Sequence, residues 1–134
     1  MAKDIETRAD VELLVTEFYS VAIPDSLIGH HFATLDMRSH IPVMVDFWEK
    51  TILGNPVYFG NPLIAHQTLH EKMPMAPEQF LRWVKIFIET VDRLFEGEMA
   101  DNAKLRGRMI ADSLNQRLNE EARINGSNSF GRAL

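Results

Sequence analysis

The sequence predicts an all-α protein with one domain. Apolar residues recur at spacings of three and four from Pro77 to about Phe95, which is the period of an amphipathic helix. No segment alternates apolar and polar residues as a strand does, and no internal repeat is present. A chain of 134 residues can bury a core and a flat organic cofactor, but it is too short for a second domain. We therefore expect a single domain over residues 1–134, with flexible tails at 1–6 and 125–134.

Composition excludes several classes of function. The formal charge is −5 and the basic residues are scattered among acidic ones, which argues against a nucleic-acid partner. The chain has no cysteine, so disulfides, thiolate metal sites, cysteine nucleophiles and covalently attached haem are all excluded. The N-terminal residues carry charges where a signal peptide needs an apolar run, and no stretch approaches the roughly 20 apolar residues of a membrane span. We expect a cytoplasmic protein without a membrane partner.

The first helices are predicted from their capping residues. Thr7 and Asp10 have the spacing of a capping box, and the helix that they begin ends before Pro24. A short turn follows over residues 24–32. The second helix begins after Asp36 or Ser39, tolerates Pro42 in its first turn and ends at Gly54.

The second half of the chain contains three more predicted helices. Residues 54–61 are rich in Gly, Asn and Pro, so they form a loop, and a short helix covers residues 62–72. The long amphipathic helix from Pro77 follows, and a last helix extends over about 98–123. Five main helices of unequal length do not form a symmetric bundle.

Histidines are the main candidates for chemistry: His30, His31, His40, His66 and His70. We interpret His30 and His31, which lie in a short turn, as surface or structural residues. His40 shares a helical stripe with apolar residues four, seven and eight positions later, so it faces the core. It is either a hydrogen-bonded core residue or a residue that contacts a ligand.

His66 and His70 are four residues apart and share one helical face. A zinc site is one interpretation, but Gln67 stands where the HExxH motif has its glutamate, and no third ligand is evident. The other interpretation is a single metal ligand, with the carbonyl of His66 orienting the ring of His70. One protein ligand with an open position opposite is what a gas-binding haem requires.

A larger set of residues resembles the group III truncated haemoglobins over about residues 8–120. The ordered motifs are FY ending at Tyr19, GHHF ending at Phe32, His40 with FW eight residues after it, GNP ending at Pro62, LHEKMPM, and QFLRW ending at Trp83. The resemblance implies a shortened two-over-two globin fold around a haem. It also implies a b-type haem, because covalent attachment is excluded.

The resemblance assigns roles to eight residues. His70 matches the proximal iron ligand, with His66 as its rival if a gap in the match is placed differently. The family's distal polar positions are matched by Tyr19, His40 and Trp83. Phe32 matches the residue packed on the haem face, and Met44 and Phe47 match apolar distal positions. Trp83 also lies on a long apolar stripe, so packing alone is the alternative for it.

The function implied by this resemblance is reversible binding of O₂, with NO and CO as further ligands, at a five-coordinate iron. One alternative is a cofactor-free helical interaction domain whose histidines and indoles are core residues. Another is an enzyme that uses the same haem for NO dioxygenation or peroxide chemistry with a reductase partner. The sequence does not separate a carrier, a sensor and a detoxifying enzyme.

Overall fold

The computed structural model describes residues 2–120, apart from the side chains at 71, 72 and 120. Within this range the secondary structure is entirely helical, which confirms the predicted class. The main helices are α1 (Arg8–Ala22), α2 (Met37–Trp48), α3 (Pro62–Lys72), α4 (Pro77–Leu94) and α5 (Glu98–Asn115). A 3₁₀ turn, Gly29–Phe32, precedes α2, and single π-helical turns, Glu49–Leu53 and Gln116–Glu120, extend α2 and α5. The predicted tail at 125–134 lies outside the described residues.

The long helices form two pairs. Helix α1 packs against α2, α4 packs against α5, and the contact of α1 with α4 joins the pairs. Their shared core includes Leu14, Phe18, Phe87 and Val91, all of which are buried. The short helix α3 lies beside a second apolar cluster, which it contacts through Leu63 and Leu69.

Local capping fixes the ends of the first two helices. At α1 the Thr7 hydroxyl accepts from the backbone N–H of Asp10 at 3.3 Å, and the Asp10 carboxylate accepts from the backbone N–H of Thr7 at 3.1 Å. The predicted capping box is therefore confirmed. At α2 the cap is Asp36 rather than Ser39, and Gly54 follows the π-helical turn with a φ of 78°.

The N-terminal segment makes contacts that differ from the predicted flexible tail. Ile5 is 1% exposed and belongs to the main core. Asp4 accepts hydrogen bonds from the backbone N–H groups of Ala100 at 2.8 Å and Met99 at 3.0 Å, so it caps α5 from a distant part of the sequence. Gly97, at a φ of 143°, lies against the Asp4 side chain and leaves no room for a side chain of its own. Composition alone does not predict these contacts, because the residues around Asp4 and Ile5 are charged.

None of the helices within residues 2–120 combines the length and the apolar character that crossing a bilayer requires.

We predict that Asp4→Ala lowers the free energy of unfolding by about 1–2 kcal/mol, because two N–H groups at the start of α5 lose their acceptor. Burial alone would raise the pKa of Asp4, but hydrogen bonds from Met99, Ala100 and Ile5 lower it overall. The stabilisation is therefore complete above the ordinary carboxyl pKa and is lost as pH falls through the folded pKa. Urea unfolding at neutral and acidic pH measures both effects.

The control for this prediction is Asp101→Ala, which removes a 77% exposed carboxylate from the first turn of the same helix. We expect it to change stability by less than about 0.5 kcal/mol. Equal losses for the two variants would contradict the capping role of Asp4.

Candidate functional site

A cavity of about 330 Å³ lies between the two helix pairs and α3. This volume falls within the range of about 300–1,000 Å³ that is typical of small-molecule sites. Most of its wall is aliphatic or aromatic, and residues from all five main helices contribute. The few polar groups in the wall are therefore the ones that can act on a bound molecule; they include Tyr19, His31, His40, Tyr58, His66 and Gln79.

His66 lines this cavity, and the described hydrogen bonds engage only one of its two imidazole nitrogens. The Asn61 side chain caps α3 by accepting from the N–H groups of Leu63 and Ile64, and Pro62 occupies the first turn. One turn later, Nδ1 of His66 lies 2.7 Å from the carbonyl oxygen of Pro62. A carbonyl only accepts, so Nδ1 carries the proton and Nε2 holds the lone pair. Burial lowers the pKa of His66, which favours this neutral form.

His70, the residue that the resemblance assigns as the iron ligand, has the opposite arrangement. Its Nδ1 accepts from the backbone N–H of Met75 at 3.0 Å, so the lone pair is used to close the end of α3. His70 is absent from the cavity wall, whereas His66 is part of it. From the sequence, we expect a backbone carbonyl to orient an imidazole four residues later. The structure has this contact one turn earlier, between the carbonyl of Pro62 and the ring of His66.

Tyr19 and His40 form a polar pair in the cavity wall. The phenol oxygen lies 2.8 Å from Nε2 of His40, and Phe32 packs edge-on to the Tyr19 ring at a centroid distance of 5.4 Å. Burial raises the pKa of Tyr19, so its hydroxyl stays protonated. Burial lowers the pKa of His40, and a smaller contribution from the charge of His66 lowers it further.

Stacked aromatic rings form another part of the wall. The rings of Trp83 and Phe87 are almost parallel, 7° apart with centroids at 5.1 Å, and Trp48 stacks on Phe87 at 4.6 Å. Met44 and Phe47 also line the cavity. Of the eight residues selected from the sequence, the structure thus places all but His70 around one space.

His31 is a site residue that sequence reasoning missed. It is 5% exposed and lines the cavity, whereas His30 is exposed. Nε2 of His31 lies 3.1 Å from the side-chain oxygen of Gln79, and Nδ1 is buried without a partner among the described residues. The Gln79 amide is fixed by two backbone groups, the N–H of Ala76 and the carbonyl of Leu27. No local pattern signals a contact that spans 48 positions.

Tyr58 is the second wall residue that was not predicted. Its ring packs edge-on to Phe47 at a centroid distance of 5.2 Å. Gly60 permits this position, because a side chain at 60 would meet the Tyr58 ring. The loop before α3 therefore closes one side of the cavity with an aromatic residue.

The donor set fits a haem better than a bare metal ion. Among the residues that the structure describes, no group of three or more His, Asp or Glu side chains could hold an ion, so the zinc interpretation lacks its further ligands. A porphyrin brings four nitrogen ligands of its own and needs one imidazole lone pair and a flat apolar space. His66 and the aromatic wall provide these two requirements.

Known proteins provide an independent comparison. No protein-family model matches the chain. It is 30% identical over 111 residues to the group 3 truncated hemoglobin ctb of Campylobacter jejuni, a match that covers 78% of this chain and 84% of that protein. The crystal structure of a group III truncated hemoglobin from Campylobacter jejuni superposes with a TM-score of 0.77 at 27% identity, covering 88% of this chain and 95% of that one. Fold and sequence agree, and the chain belongs to the group 3 truncated haemoglobin family.

Proposed function

We propose that this protein binds haem b in the cavity through Nε2 of His66 and uses it to bind O₂ reversibly. The observation that carries the proposal is the free, unprotonated nitrogen of a half-buried, neutral imidazole in the wall of an apolar cavity. Haem iron, when bound, supplies a coordination position for a diatomic ligand on the side opposite the histidine. The similar proteins are named as haemoglobins, which supports the same class of cofactor.

The chain holds the cofactor through contacts rather than covalent bonds. It has no cysteine for thioether links, so a b-type haem is the form that fits. Phe32, Phe47 and Trp83 offer flat or edge contacts to a planar molecule. The Pro62 carbonyl fixes the tautomer and the direction of the His66 ring and makes Nε2 a stronger donor to a metal.

The polar groups of the wall suit a ligand that acquires partial negative charge. The Tyr19 hydroxyl remains protonated, and the described residues give the indole N–H of Trp83 no hydrogen-bond partner. Donors that are fixed in a dry pocket stabilise developing negative charge more than water does. We therefore assign Tyr19, His40 and Trp83 to the ligand side of the site, and O₂ as the ligand, with NO and CO binding in the same place.

The cofactor-free interaction domain predicts a different interior. Protein cores pack at the density of organic crystals, with few voids larger than a water molecule. A cavity of about 330 Å³ lined by both tryptophans and both tyrosines of the chain is not such a core.

Tryptophan fluorescence tests haem uptake directly, because Trp48 and Trp83 are the only tryptophans and both line the cavity. We expect added haemin to quench most of the indole emission, with a break at one equivalent, and a Soret band to appear in parallel. The same titration of urea-unfolded protein is the control. A shallow decline with no break, equal in both samples, would leave the cofactor-free domain as the better explanation.

Alanine variants of the two neighbouring histidines test the ligand assignment. We expect His66→Ala to lose the normal ferrous and CO-bound spectra and to regain a five-coordinate spectrum with added imidazole, because the cavity then holds a free site for it. His70→Ala removes a hydrogen bond to Met75 but leaves the cavity wall intact, so it should keep the wild-type spectrum with a loss of about 1 kcal/mol in stability. The reverse pattern would restore His70 as the ligand.

Trp83→Phe tests the indole as a donor to the bound gas. The ring keeps its stack on Phe87, but the N–H is lost, so we expect O₂ to dissociate about three- to tenfold faster, in line with one hydrogen bond. Stopped-flow displacement of O₂ by CO measures this rate. CO dissociation from the same variant is the control, because CO carries less negative charge; an O₂ rate that does not change would mean that Trp83 only packs.

A further inference from the structure

His40 and His66 both line the cavity, and their hydrogen bonds leave the two imidazoles in different states. His66 uses Nδ1 for the Pro62 carbonyl and keeps Nε2 free. His40 has its Nε2 within 2.8 Å of the Tyr19 hydroxyl. The two rings contribute to the wall of one cavity from different helices, α2 and α3. A metal between them would therefore have two candidate ligands, of which only one is available.

The engagement of His40 does not depend on its tautomer. If the Tyr19 hydroxyl donates, the lone pair of Nε2 is already used. If Nε2 carries the proton and donates to the phenol oxygen, it has no lone pair to offer. In both cases the nitrogen must break a hydrogen bond before it can bind a metal.

We propose that the Tyr19 hydroxyl prevents His40 from coordinating the haem iron, so that the position opposite His66 stays open to gas ligands. This inference rests on the proposed haem binding and gives Tyr19 a role beyond donation to the ligand. Tyr19 is a positioning residue in this role, because it acts on the iron through His40.

The surroundings hold the phenol in place for this task. Tyr19 is 7% exposed, and its ring contacts Phe18 at a centroid distance of 5.1 Å and Phe32 at 5.4 Å, both edge-on. The His40 ring meets it at 5.5 Å. Among the described residues, Tyr19 is the only hydrogen-bond partner of His40 Nε2. Without the hydroxyl, Nε2 of His40 would lie in an apolar wall with no partner, and iron would be the strongest one within the cavity.

The variant Tyr19→Phe tests the proposal and keeps the ring contacts. Haemin-loaded wild type should be mainly high-spin, with an open or water-bound position. In Tyr19→Phe we expect the ratio of low-spin bis-imidazole haem to high-spin haem to rise on the order of tenfold, as loss of one hydrogen bond predicts. Absorption spectra of the ferric and ferrous forms and electron paramagnetic resonance of the ferric form measure the spin state without any ligand-binding assay.

Two further variants assign the change. Tyr19→Phe combined with His40→Ala should return the haem to the high-spin state, which identifies His40 as the new ligand. Ser20→Ala is the control, because it removes the hydroxyl of the next residue of α1, which is exposed, donates to the carbonyl of Glu17 and does not line the cavity. It should keep the wild-type spin state.

Three outcomes would overturn the proposal. The first is a Tyr19→Phe spectrum as high-spin as that of wild type, and the second is a low-spin signal that persists after His40→Ala. The third is a wild-type haem that is low-spin and becomes high-spin in His40→Ala, because His40 would then coordinate the iron although Tyr19 is present. This measurement tests the proposal even if Tyr19→Phe does not fold. Failure of haem binding itself is recognised separately, because the wild type would then show no fluorescence quenching and no Soret band.

Discussion

The bond from Nδ1 of His66 to the carbonyl of Pro62 is the interaction on which the site depends. Asn61 caps α3 and Pro62 is its first residue, which places the Pro62 carbonyl one turn before the histidine. The bond also decides which nitrogen carries the proton and leaves Nε2 with its lone pair. The rest of the fold is consistent with this arrangement, since the paired helices leave an apolar space in front of α3 instead of filling it.

The polar residues of the wall follow the rule that buried polar groups find partners. Tyr19 pairs with His40, His66 with Pro62, and His31 with Gln79. These bonds fix the direction of each ring before any ligand enters, which is what preorganised binding needs. The exception is Nδ1 of His31, a residue of the cavity wall: this nitrogen is buried and has no partner among the described residues.

Local chemistry made most of the fold predictable. The capping box at Thr7, the prolines that open α3 and α4 and the apolar period of α4 each depend on neighbours in sequence. Sequence patterns were insufficient where contact partners are distant or where candidate residues are equivalent. His66 and His70 lie one turn apart on the same face, so spacing alone could not separate them. The burial of Ile5 and of His31 depends on contacts with residues far along the chain.

The choice between His66 and His70 shows which kind of observation separates equivalent residues. Both are half-buried on one helix, and each makes one hydrogen bond to the backbone, so neither burial nor the number of bonds distinguishes them. The two residues differ in the direction of that hydrogen bond. His70 accepts from an N–H and gives up its Nδ1 lone pair, whereas His66 donates to a carbonyl and keeps a lone pair on Nε2. The same criterion separates His66 from His40, whose Nε2 is engaged by Tyr19. Donor and acceptor chemistry thus favours His66 over both His70 and His40 as the proposed metal ligand.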